Sequence, residues 1–64
     1  NMNDFPQDIR LWLLTAHNET GMLEQEVPLP VSHDTLKRGL VRDDAGAWVL
    51  TASGWAALIG LMND

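Results

Sequence analysis

The sequence predicts an α+β domain that is mostly helical, with three helices and one β-hairpin between the second and the third. Three observations carry this prediction. Apolar residues recur at helical spacing near both ends of the chain, at Phe5, Ile9, Trp12, Leu13 and Ala16, and again at Ala52, Trp55, Ala56, Ile59 and Met62. Between them, Leu40-Val41-Arg42 and Ala47-Trp48-Val49-Leu50 flank the turn-forming cluster Asp43-Asp44-Ala45-Gly46. Gly39 separates this ribbon from a short stretch that opens with the capping residue Ser32 and closes with Lys37 and Arg38.

The first helix is expected over about 5–17. Asp4 suits the N-cap, Gln7 completes a capping box, and Pro6 in the first turn removes no helical hydrogen bond. Leu11 and Leu14 widen the apolar arc beyond what one core contact requires, and Asn18 and Gly21 are the stop signals. Residues 18–30 carry the weakest pattern. Pro28 and Pro30 push their preceding residues toward extended conformations, which leaves room for a single helical turn at most. A second, short helix is expected over 32–38. Ser32 is its N-cap, Val31 staples onto Leu36, Asp34 sits in the first turn, and Lys37 and Arg38 in the last turn match the helix dipole. Gly39 is its left-handed C-cap.

The hairpin occupies about 40–50, with Trp48 and Leu50 on one face and Val49 on the other. The last helix is expected over 52–62, capped by Thr51. Gly54 and Gly60 interrupt it, and each costs up to ~1 kcal/mol relative to Ala. Close packing against another backbone is the expected reason for them. Leu58 and Leu61 form a second apolar stripe, so this helix is apolar nearly all round and is expected to be buried on more than one side.

Composition narrows the function. A chain of 64 residues makes one domain, over 2–64, and Asn1 before Met2 is expected to be an added residue. The absence of cysteine excludes disulfides and cysteine-built metal sites. No apolar run is long enough to span a bilayer, and no basic-then-apolar leader opens the chain, so the expected location is cytoplasmic. Nine acids against four bases leave a net charge of −5, which opposes binding to phosphate-rich partners. Three of the four bases, Lys37, Arg38 and Arg42, nevertheless lie within six residues. So short a chain scarcely buries enough apolar surface. Its three Trp, one Phe and many Leu must therefore be mostly inside, or be covered by a partner.

The run Leu36-Lys37-Arg38-Gly39-Leu40-Val41-Arg42, followed by Trp48-Val49-Leu50-Thr51-Ala52-Ser53-Gly54-Trp55-Ala56-Ala57-Leu58, resembles the winged-helix domains of MarR-like and PadR-like regulators. There a recognition helix ends in a similar Leu-x-x-x-Gly-Leu-Val phrase, the wing hairpin follows, and Leu-Thr-x-x-Gly-x-x-x-Leu opens the next helix. The resemblance covers residues 35–58 and implies a winged-helix-like fold. It also implies DNA contact by the matching basic positions, Lys37, Arg38 and Arg42, and a dimer built by the terminal helices. Two departures oppose DNA binding. Pro28 and Pro30 fall where the helix preceding the recognition helix should end, and Asp43-Asp44 occupies the wing tip.

A purely structural role for the basic trio places Lys37 and Arg38 on the helix dipole and pairs Arg42 with Asp43 or Asp44. His17 and His33 have no metal-ligand spacing, and Asp43-x-x-Gly46 lacks the downstream Glu of a calcium loop. Ser32 and Ser53 lie in no nucleophile elbow, and no phosphate-binding glycine loop is present. The chain is expected to be neither an enzyme nor a cofactor or metal binder. Trp12, Trp48 and Trp55 are read either as core or as partly exposed. In the second case Leu11, Trp12, Leu14, Trp55, Leu58 and Leu61 form an oligomer interface. The leading expectation is a regulatory or interaction domain acting by protein association, as a homodimer. The alternatives are a small DNA-binding transcriptional regulator using residues 32–42, or a piece of a larger complex whose other chain covers the apolar face.

Overall fold

The computed structural model describes residues 5–63. The elements run α1 (Gln7–Leu13), α2 (Leu29–Lys37), β1 (Val41–Asp44), β2 (Ala47–Leu50) and α3 (Ala52–Met62). The class is α+β and mostly helical, and three helices with an antiparallel hairpin are compatible with a small winged-helix-like fold.

α1 is shorter than the 5–17 expected. Pro6 stands at its N-cap without a side-chain cap bond, so Gln7 is the first helical residue and not the third. Asp4 lies outside the described residues. After Leu13 the chain tightens, with Thr15 N–H donating to Trp12 O and Ala16 N–H to Leu13 O at 2.9 and 3.2 Å. The ensuing turn is organised by His17, whose Nδ1 accepts the N–H groups of Glu19 and Thr20 at 3.1 and 3.4 Å.

α2 also differs from expectation. It begins at Leu29, with Pro28 as N-cap and Pro30 in the first turn. The two prolines initiate the helix instead of forbidding it, because first-turn N–H groups have no intrahelical acceptor to lose. Ser32 is therefore not a cap. It is buried, and its Oγ donates to Leu29 O at 3.2 Å. Likewise Asp34 sits past the first turn, and Val31 is a buried helical residue. The C-terminus matches its expectation. Gly39 takes φ +76°, Gly39 N–H donates to Leu36 O at 2.9 Å, and Leu40 N–H donates to Thr35 O at 3.2 Å. These two bonds form a Schellman motif and turn the chain into β1.

β1 and β2 pair antiparallel, Val41 with Leu50 and Asp44 with Ala47, around a two-residue turn. Ala45 and Gly46 both have positive φ, 53° and 91°, as the common hairpin turn requires. Asp43 and Asp44 thus belong to the strand, and Asp43 Oδ1 accepts the Gly46 N–H at 2.7 Å. On the other edge of β2 runs an extended segment that the residue pattern of 18–30 does not reveal. Met22 bridges Val49, Leu23 N–H donates to Trp48 O at 3.1 Å, and Leu50 N–H donates to Gly21 O at 2.9 Å. Gln25 then copies a backbone pair with its side chain. Its Oε1 accepts the Trp48 N–H at 2.7 Å while its Nε2 donates to Trp48 O at 3.1 Å. Both edges of β2 are consequently occupied.

The core joins Ile9, Trp12 and Leu13 of α1, Leu23, Val31 of α2, Leu40, Val41, Leu50, and Ala57 with Leu58 of α3. Trp48 meets Trp12 edge-on, with centroids 5.9 Å apart, and is half-buried. Thr51 caps α3 by accepting the Gly54 N–H at 3.1 Å and donates to Gly39 O at 2.6 Å, so one hydroxyl joins two helix ends. Gly54 packs directly against the Leu40 carbonyl, the backbone approach expected of it.

Candidate functional site

The basic trio gathers where α2 feeds β1. Arg38 is the C-cap of α2, and its Nε lies 3.1 Å from Asp34 Oδ1 one turn back. The same guanidinium sits over the Phe5 ring, 5.5 Å from the centroid. Arg42 points Nη1 at Asp44 Oδ2, 3.5 Å away. Lys37 ends α2 and is exposed. Exposed pairs of this kind add little stability. Their consequence is electrostatic, since a phosphate approaching Arg38 or Arg42 must compete with a carboxylate already in place. Of the two partners read for Arg42, the structure selects Asp44.

The six apolar positions read as an interface separate by depth. Trp12 and Leu58 are core residues, 5% and 4% exposed. Trp55 and Leu61 are half-buried against the core, and the Trp55 indole lies against buried Gly21. Leu11 and Leu14 remain outside, 57% and 51% exposed. On α3, two residues outside those six are also exposed, Ile59 at 51% and Met62 at 62%. A signal for them existed in Gly54. Its contact with Leu40 sets the rotation of α3, which turns Ala57, Leu58 and Leu61 inward and Ala56, Ile59 and Met62 outward. α3 is therefore buried on one side only, contrary to expectation.

A groove opens on the other flank of α1. About 280 Å³ in volume, it is lined by Asp8, Leu11, Trp12 and Thr15 of α1 and its C-terminal turn, by Glu24, Glu26, Val27 and Pro28, and by Val31 of α2. Its walls are held by hydrogen bonds. Trp12 Nε1–H donates to Glu24 O at 2.8 Å, Glu24 N–H donates to Thr15 Oγ1 at 3.0 Å, and that hydroxyl donates to Trp12 O at 2.6 Å. The 24–28 segment is thus fastened to α1 and its C-terminal turn at both backbone polar groups of Glu24. The sequence reading missed this groove because its second wall falls in the unpatterned stretch.

His17 and His33 are exposed, and among the described residues no group of three or more His, Cys, Asp or Glu side chains is placed to hold a metal ion. No described helix is long and apolar enough to cross a membrane. Comparison of the chain with known protein families, with characterised proteins and with solved structures finds no match.

Proposed function

We propose that this chain is a non-enzymatic, winged-helix-like interaction domain that self-associates through the outward faces of α1 and α3. The carrying observation is the exposure of Leu11 on α1, Leu14 at its C-cap, and Ile59 and Met62 on α3, two helices that pack against each other. Each is at least half exposed, whereas the other strongly exposed apolar residues, Met22, Leu29 and Leu36, lie outside these helices. The resemblance of residues 35–58 to MarR-like and PadR-like regulators supports the same reading, because those families commonly dimerise through their terminal helices. Sedimentation at micromolar concentration is the test. The expected result is a dimer that the double variant Ile59→Lys, Met62→Lys converts to a folded monomer. A wild-type chain that stays monomeric across the concentration range overturns the proposal.

A second reading, a small DNA-binding transcriptional regulator, is favoured by one observation. α2 has nine residues and ends in exposed Lys37, so it is longer than the stub read from sequence. Against it stand the net charge of −5, the carboxylate partners of Arg38 and Arg42, and the extended 24–28 segment in place of a preceding helix. Mobility shifts at low salt with duplex DNA, repeated with Lys37→Glu and Arg38→Glu, decide the matter. No salt-dependent shift removes this reading.

A further inference from the structure

We infer that the groove between α1 and the 24–28 segment docks a short basic, amphipathic peptide segment of another protein. The segment would insert one or two bulky apolar side chains between Leu11 and Val27 and set lysines or arginines against Asp8, Glu24 and Glu26. None of its lining residues belongs to α3, and Leu14, Ile59 and Met62 are not among them, so the inference does not rest on self-association.

Three observations specify the occupant. The floor is apolar, formed by Leu11, Trp12, Val27, Pro28 and Val31. A cavity of ~150 Å³ accepts a benzene-sized group, so the groove's 280 Å³ suits about two apolar side chains. The rim is acidic. Asp8, Glu24 and Glu26 are exposed, and among the described residues none of them pairs with a cation. Among the described residues, Asp8 and Glu24 accept neighbouring backbone N–H groups, from Ile9 at 2.8 Å and Glu26 at 3.1 Å. An apolar slot whose lining includes three acidic residues favours a partner that is both apolar and positive, and its charge disfavours an acidic peptide. Finally, the groove is preformed, because the Trp12–Glu24 and Thr15–Glu24 bonds hold its walls without a ligand. A second copy of this chain fits poorly, since it is itself strongly acidic and two of its clustered cations are already engaged.

The test is selection of an unbiased displayed library of short peptides on the whole chain, followed by backbone NMR shift mapping with the enriched sequences. Enriched peptides should carry bulky apolar residues flanked by Lys or Arg and perturb Leu11, Trp12, Val27 and Val31. Binding should weaken with salt and fall about tenfold or more in the charge-reversed variant Glu24→Lys, Glu26→Lys. Those two side chains are exposed, so the fold should survive, and unchanged thermal unfolding of the variant verifies it. Enrichment of uncharged or acidic peptides, shifts mapping to α3, or no enrichment at all would overturn the inference. So would loss of self-association in that charge-reversed variant, because the groove would then belong to the interface between copies.

Discussion

Gly54→Ala isolates the contact on which the domain is assembled. A β-carbon there would fall on the Leu40 carbonyl oxygen, inside any real contact distance, and 3.0 Å from both the Leu40 carbonyl carbon and Leu50 Cδ2. That carbonyl also accepts the Thr51 N–H at 3.0 Å, so pushing it away loosens the junction between β2 and α3. The obstacle is backbone, which cannot swing aside as a flexible side chain would. Overpacking costs roughly 1–3 kcal/mol, and this site belongs at the upper end. A weakened hydrogen bond adds about 1 kcal/mol. Replacing a mid-helix Gly by Ala returns about 1 kcal/mol in helix propensity. The net expectation is a loss of roughly 2–3 kcal/mol. For a domain of this size that lowers Tm by roughly 10–20 °C. Ala56→Gly on the exposed face of the same helix is the companion measurement, with a loss of about 0.5–1 kcal/mol expected. Both directions of exchange should therefore destabilise, which propensity alone cannot produce. Urea unfolding followed by Trp fluorescence reads both. A Gly54→Ala chain as stable as wild type, or more so, would refute the packing argument.

Other substitutions test the remaining joints of the fold. Ala45→Asn should stabilise by about 0.5–1 kcal/mol in thermal unfolding, because Asn tolerates the left-handed φ of 53° better than Ala does. Thr51→Ala removes both the α3 cap and the bond to Gly39 O, and should cost about 1–2 kcal/mol, while Thr51→Ser keeps most of that. Trp12→Phe deletes the indole donor to Glu24 O at about 1–2 kcal/mol. In that variant hydrogen exchange at the Glu24 amide should accelerate more than at β2, since the groove wall loosens first.

Local chemistry made much of this architecture legible. Thr51 caps whatever follows it, Gly39 ends whatever precedes it, and a turn cluster between two apolar runs forms a hairpin, because each of these effects acts within a few residues of its cause. The tertiary structure decided the rest. Whether Pro28 and Pro30 end a helix or begin one depended on the direction from which the chain arrives. Gln25 could become a strand partner only by meeting Trp48, 23 residues away. Which stripe of the greasy last helix would face water was set by the place where the Leu40 carbonyl comes to rest. The groove exists because Trp12 and Thr15 hold a segment that has no secondary structure of its own. Such contacts are invisible to periodicity and capping rules, since their energy comes from groups brought together only after the chain has folded.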